Sequence, residues 1–327
     1  MLKREIFGAM PLRTHRPIFF HSFLDELCAD LVAYDLPKMS PKGLIADPAS
    51  LVLPAGRRPK GVPRYGDMLG GEKLLWVRDA GTGLCWPYWL RGHYLDIISY
   101  IRERGHSPEE IGLGYDQRRL ITLLRSGAIV RDHVKSARAD SWRKTEAKAK
   151  ASLASGGYAL LPDLIHPFLT HSLAHYYRCM LGEGHFPFDD GQVALRYYGR
   201  EEGMAAFIHR QLAPVVARLV GKRVWPTYAY FSSYQGGAVL EKHLDRPTAE
   251  ISLSVAVEYM PTMDRKNAWP LIVESGGKKV QLRLAPGDGG VFYGTRHYHY
   301  RKKLAEGSSA SVILMHYATK PLKTVKY

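Results

Sequence analysis

The sequence predicts an α+β protein: a C-terminal sandwich or barrel of short strands with helices packed outside, behind a smaller domain. Three observations carry this. Beyond residue 224 nearly every segment alternates apolar and polar residues between Gly and Pro turns. Two helical stretches precede that run, and the texture changes near residue 140. With 327 residues the chain is about twice the usual domain size, so a division into residues 1–140 and 141–327 is expected.

The elements follow in order. Residues 41–66, PKGLIADPASLVLPAGRRPKGVPRYG, are broken by prolines and glycines and read as an irregular, mobile loop or lid. KLLWVRDAGTGLCWPYWL reads as a β-hairpin turning at AGTG. HYLDIISYIRER places Tyr94, Ile97, Ile98 and Ile101 on one helical stripe. A short helix capped by Ser107 with Pro108 in its first turn is expected next, then DQRRLITLLRSG, a helix ended by Gly127. The alanine- and lysine-rich stretch 136–150 reads as a solvated connecting helix. GYALLP is extended, and the helix after it buries Ile165, Phe168, Leu169 and Leu173; MAAFIHRQLAPVVARLVG is another helix. The predicted strands are WPTYAYFSSY, AVLEKHLD, AEISLSVAVEYM, PLIVES, KKVQLRLAP, GGVFYG and ASVILMHYA.

Composition narrows the class. The chain is 46% hydrophobic and 24% charged, which is that of a folded protein. Cys28, Cys85 and Cys179 are odd in number, far apart and without CxxC, which argues against a disulfide framework or a thiolate zinc site and for a reducing compartment. The first residues lack the apolar core of a secretory signal, and no run reaches the ~20 apolar residues of a membrane span. A cytoplasmic protein is expected. The net charge of +15 implies an anionic partner without choosing one.

The chemistry concentrates in EKHLDRP. His243 and Asp245 stand two apart at a strand end, where i and i+2 share a face, so both can reach one ion. About fifty residues on, APGDGGVFYGTRHYHYRKKL sends a strand toward His297 and His299, which share a face if that strand continues. One of them would complete two histidines and a carboxylate, a set that suits non-haem Fe(II) and leaves positions open. Against this, HSLAH, with His171 and His175 at i and i+4, lacks the glutamate of a zinc protease. No phosphate loop and no GxSxG elbow occur.

Tyr234, Leu240, His243, Asp245 and His299, with PGD ahead of the last, are ordered and spaced as in the Fe(II)- and 2-oxoglutarate-dependent dioxygenases, which residues 150–320 resemble. The resemblance implies a double-stranded β-helix, or jelly roll. It implies Fe(II) held by His243, Asp245 and His299, with 2-oxoglutarate and O2 as cosubstrates. HYRKKL and the strand after it favour His299 over His297 as third ligand. The family commonly has a basic residue ten positions past that ligand, where this chain has Ser309. Arg301, Arg283 or Arg296 would then pair the distal carboxylate of 2-oxoglutarate, Arg301 foremost, with Tyr234, Tyr228 or Tyr230, Ser309 and Ser311 adding hydroxyls. Retention of Asp245, which halogenating relatives replace, implies hydroxylation or another oxidation.

Residues 70–134, hairpin, helix, short helix, helix, resemble the winged-helix peptide-recognition domains of peptide-modifying enzymes, so residues 1–140 are expected to be a recognition domain for peptide or nucleic acid, or a cap or dimerisation module packed on the second domain. The implied protein oxidises an unactivated C–H bond of a peptide or small-molecule substrate, acidic substrates included, with Arg246 either gripping an acidic group or facing solvent. A catalytically silent binder of acidic peptide or nucleic acid, or a nucleic-acid demethylase, is the competing reading; nothing resembles a base-flipping loop. Substrate and oligomeric state are not readable from the sequence.

Overall fold

The computed structural model describes residues 44–54, 57–63, 73–89, 92–104 and 117–321. They divide into two compact units, one within His15–Arg143 and the other within Lys144–Tyr327.

In the first unit β1 (Ile45–Ala46) pairs with β5 (Ile129–Val130), and β2 (Leu51–Pro54), β3 (Lys73–Arg78) and β4 (Cys85–Trp89) form an antiparallel sheet in that order. The described residues of 41–66, 44–54 and 57–63, are therefore not an irregular loop throughout. Leu44, Asp47, Ser50 and Val62 are buried, and β2 is an edge strand whose last residue is Pro54. A proline is tolerated there because an edge strand need not donate from its outer side. The hairpin β3–β4 turns where the sequence predicts: Asp79 Oδ1 accepts from the backbone N–H of Gly81 at 3.0 Å and of Thr82 at 2.7 Å, the side-chain cap of a tight turn. Helices α1 (Gly92–Arg104) and α2 (Gln117–Ser126) follow. The short helix expected after Ser107 lies outside the described residues, so the winged-helix pattern is met only by its hairpin and two of its helices. Helix α3 (Asp132–Gly156), whose residues from Lys144 onward belong to the second unit, is largely exposed, as its composition demands, and Trp142, Ala149 and Leu153 on it are buried.

The second unit holds β6 (Tyr158–Leu161), α4 (Pro167–Gly182), β7 (Arg196–Arg200), α5 (Gly203–Val220), β8 (Trp225–Gln235), β9 (Leu240–His243), β10 (Ile251–Met260), β11 (Leu271–Ser275), β12 (Lys278–Leu282), β13 (Gly289–Phe292), β14 (His299–Arg301) and β15 (Ser309–Ala318). They build a six-stranded sheet, β6-β13-β10-β15-β8-β7, and a four-stranded sheet, β12-β11-β14-β9, both antiparallel. From β8 to β15 the chain passes back and forth between the two sheets, which is the winding of a jelly roll. The space between them is filled by Tyr234, Leu240, Ala256, Leu271, Val273, Leu282, Phe292, Ala310 and Val312. Helix α5 packs on β8 and β15, burying Phe207, Leu212, Val215, Val216 and Leu219. Its first N–H groups are capped by Glu202, whose carboxylate accepts from Met204 N and Ala205 N at 3.0 Å each and from Tyr176 and Tyr177.

The PGD turn is structural. Asp288, 1% exposed, accepts a two-pronged bond from Arg265 and bonds from the Asp163 and Ala285 N–H groups. A Cβ at Gly287 would lie 2.8 Å from the Ile165 carbonyl, at φ +90°, so glycine is required for the turn to dock there. This turn aims β13 along the large sheet. The strand does not run on to the histidines, as the sequence suggested: it ends at Phe292, the chain turns through 293–298, and β14 begins at His299 in the other sheet.

Candidate metal centre

The site forms where β9 and β14 lie side by side. His299 pairs directly with His243, and Arg301 with Leu240, so two steps along β14 match three along β9. That bulge lets both Leu240 and His243 line one cavity with His299 and Arg301, although two exposed residues, Glu241 and Lys242, separate them. Asp245, just past β9, is anchored by its backbone N–H to the Gly294 carbonyl at 2.9 Å.

Three donor atoms converge. The side chains of His243, Asp245 and His299 each offer one ligand atom, all within 4.8 Å of one another. Asp245 Oδ1 lies 3.8 Å from His243 Nε2 and 3.5 Å from His299 Nε2. His243 Nδ1 donates to the Glu241 carbonyl at 2.7 Å and His299 Nδ1 to the His297 carbonyl at 3.1 Å. A carbonyl only accepts, so each Nδ1 carries a proton, and in the neutral form of either ring Nε2 turns a lone pair to the common point. Burial, then the neighbouring His299, lowers the His243 pKa and favours that neutral form.

The carboxylate is equally constrained. Burial alone would raise the Asp245 pKa, but His299, His316 and Ser252 outweigh it and bring it to about 2. Ser252 Oγ donates to Asp245 Oδ2 and lies 3.0 Å from His316 Nδ1. With the hydroxyl proton on Asp245, His316 Nδ1 is the donor of the second bond, and burial first holds the His316 pKa down to about 4. Oδ2 is thus occupied and Oδ1 remains for an ion. Gly294 makes the arrangement possible: a Cβ there would lie 2.0 Å from Asp245 Oδ2 and 2.6 Å from Ser252 Oγ.

His297 does not join them. Its Nδ1 bonds the Glu274 carbonyl at 3.0 Å, and its ring occupies the space beside Gly157. The turn before β14 separates it from His299, so the shared face expected of a continuous strand does not exist. Among the described residues no other group of His, Cys, Asp and Glu, including His171 and His175, could hold an ion.

The cavity has a volume of about 550 Å³ and is lined by Tyr228, Tyr230, Tyr234, Leu271, Phe292, Arg301, Leu314 and His316 as well as the donors. Arg301 is 1% exposed; its Nη1 donates to the Trp269 carbonyl at 2.8 Å, its guanidinium lies 4.8 Å from the Trp269 ring centroid, and its Nη2 has no hydrogen-bond partner. No carboxylate pairs with it among the described residues. A buried, unpaired guanidinium N–H is costly, by about 1–3 kcal/mol or more, unless an anion arrives. Tyr234 accepts from Arg196 Nη1 at 2.9 Å, which leaves its own O–H free to donate.

Other sequence candidates point elsewhere. On β15 the inward positions are Ala310, Val312, Leu314 and His316, while Tyr317 reaches out to the His209 carbonyl on α5. Ser309 and Ser311 share the outward parity, and Ser311 bonds Ser233. Arg283 is committed to the Ala268 carbonyl and Gln281, and Arg296 lies over Tyr293; neither lines the cavity.

Sequence reading missed Arg196, Asp190, Ser252 and His316. Arg196 is 2% exposed, ion-paired with Asp190 and stacked near Tyr230 and Tyr234 at 5.3 and 5.2 Å; Tyr230 donates to the same Asp190 at 2.6 Å. RYYGR has no apolar alternation to mark it, although β7 turns Arg196, Tyr198 and Arg200 into the cavity, and no spacing tied it to the histidines.

Fold and site together define a jelly roll whose cavity holds a two-histidine, one-carboxylate donor set. No family model and no curated protein matches the chain. Solved structures are similar over about half of it. A prolyl-4-hydroxylase from Pseudomonas putida is 14% identical, covering 54% of this chain and 100% of its own, with a TM-score of 0.44. A 2OG-Fe(II) oxygenase family oxidoreductase from Burkholderia pseudomallei is 15% identical over 54% and 90%, with a TM-score of 0.43. A prolyl hydroxylase from Trichoplax adhaerens, in complex with a hypoxia inducible factor peptide fragment, is 12% identical over 55% and 92%, with a TM-score of 0.46. At these identities and scores the likeness assigns no chemistry; this chain's own side chains must.

Proposed function

We propose that this protein is an Fe(II)- and 2-oxoglutarate-dependent oxygenase that hydroxylates, or otherwise oxidises, an unactivated C–H bond of a peptide or small molecule, with residues 1–140 as a recognition or cap domain. The observation that carries this is the convergence of His243 Nε2, His299 Nε2 and Asp245 Oδ1 in one cavity, each locked by a bond from its other side.

The donor set fits Fe(II): His243, His299 and Asp245 would hold the ion through two imidazole nitrogens and one carboxylate oxygen, a set that suits non-haem iron. Bound there, Fe(II) with O2 and 2-oxoglutarate supplies the oxidant for the C–H bond, and 2-oxoglutarate leaves as succinate and CO2. The chain's own work is positioning and shielding. The Nδ1 bonds of His243 and His299 fix their rings. Ser252, backed by His316, engages Asp245 Oδ2, so that Oδ1 would be the oxygen to hold the ion. Arg301 and the free O–H of Tyr234 are the groups suited to the distal carboxylate of 2-oxoglutarate. Leu240, Leu271, Phe292 and Leu314 exclude water around it.

The test is an anaerobic titration of Fe(II) with 2-oxoglutarate. A visible metal-to-ligand charge-transfer band is expected in the wild type and none in His243→Ala. Absence of the band in both overturns the proposal.

A further inference from the structure

The cavity contains four arginines, and they are not equivalent. Arg196 is neutralised by Asp190, and Arg301 is buried beyond the donor set. Arg200 and Arg246 are exposed lining residues, and neither has a side-chain ion pair or hydrogen bond among the described residues. They come from different places in the chain. Arg200 ends β7, and Arg246 directly follows the carboxylate donor Asp245. Yet both line one cavity with the Tyr228 phenol, and the Arg200 guanidinium lies 5.6 Å from the Tyr228 ring centroid. The carboxylates that could neutralise them are already engaged. Asp190 serves Arg196 and Tyr230, and Asp245 serves Ser252 and the ion site. Beside them stand Tyr198, stacked at 5.9 Å on Tyr230, and Leu244, an exposed leucine that also lines the cavity.

We propose that Arg200 and Arg246 form an oxyanion subsite, so that the substrate carries a carboxylate or phosphate that docks beside Tyr228 while its apolar body lies along Leu244 and Tyr198. Two guanidinium groups without carboxylate partners at a partly enclosed opening attract an anion, and the low-dielectric cavity wall strengthens the pairing. This gives Arg246 the anion-gripping role rather than that of a solvated charge. It rests on the oxygenase reading for the statement that the bound anion is a substrate.

The test uses the full chain loaded anaerobically with Fe(II) and saturating 2-oxoglutarate, titrated with benzoate, phenyl phosphate and the neutral benzamide by calorimetry. At least one of the two anions is expected to bind at least about tenfold more tightly than benzamide, and Arg200→Gln and Arg246→Gln each to lose about tenfold for it. The preferred anion tells carboxylate from phosphate. Equal affinity for all three probes, or anion binding unchanged in both variants, overturns the subsite. The charge-transfer band is read on every sample. A normal band with no anion preference refutes the subsite and spares the oxygenase reading; anion binding lost in the variants of a protein that never forms the band upholds the subsite and refutes the oxygenase.

Discussion

His243 and His299 face one another as a directly paired couple across the β9–β14 ladder, their ring centroids 4.2 Å apart. The non-neighbouring halves of the donor set are therefore positioned by backbone hydrogen bonding, not by a flexible loop. Replacing either histidine by alanine is expected to lower Fe(II) affinity by at least about a hundredfold. His297→Ala, which removes a ring bound to the Glu274 carbonyl, is expected to retain Fe(II) binding and lose only about 1 kcal/mol of stability. Metal titration of the three variants separates them.

Arg301 and Arg196 are both buried arginines, but only Arg196 has an acidic partner. Arg301→Met is expected to weaken 2-oxoglutarate binding by about a hundredfold while unfolding free energy stays within about 1 kcal/mol of wild type, because the change removes an uncompensated charge. Arg196→Met strands Asp190 and is expected to cost about 3 kcal/mol. Paired measurements of 2-oxoglutarate affinity and denaturant midpoint check the contrast; a large stability loss in Arg301→Met would count against its waiting for an anion.

Room for the carboxylate depends on one missing methyl. Gly294→Ala drives a Cβ into Asp245 Oδ2 and Ser252 Oγ, and Fe(II) affinity is expected to fall by roughly 10- to 100-fold. Gly182→Ala, where nothing lies within 4 Å of the added atom, serves as the control and is expected to leave binding unchanged.

His209 is 3% exposed, and its Nε2 bonds the His316 carbonyl at 2.7 Å. Burial first, then the charges of His316 and Arg210, bring its pKa from 6.5 down to about 3, although the His316 carbonyl opposes the shift. A folded-state pKa below the unfolded one means that the unfolded chain takes up the proton first. Stability from this group is complete above pH 6.5 and is lost as pH falls toward about 3, by on the order of several kcal/mol. His209→Gln, which keeps a donor to the carbonyl, is expected to flatten the denaturation midpoint between pH 6.5 and 4 relative to wild type.

The sequence by itself determined the strands, because period-two alternation reports burial on each face. β8, β10, β11, β12, β13 and β15 stand where WPTYAYFSSY through ASVILMHYA alternate, and His-x-Asp at the end of β9 is a local feature that adjacency alone exposes. It also presented His299 through the residues that follow it. What alternation cannot carry is which strand lies beside which. The three residues of β14 are too few to show a period, so the turn that detaches His297 and lays His299 against His243 was invisible. The same limit hid edge strands β1 and β2 inside a proline-rich stretch, whose partners lie nineteen or more residues away. A count of ten residues led to Ser309, but the pleat turns that position outward. Only the tertiary structure, by pairing distant strands and closing one sheet over the other, left an N–H of the buried Arg301 without a partner, committed Arg196 to Asp190, and brought Arg200 and Arg246 to one cavity.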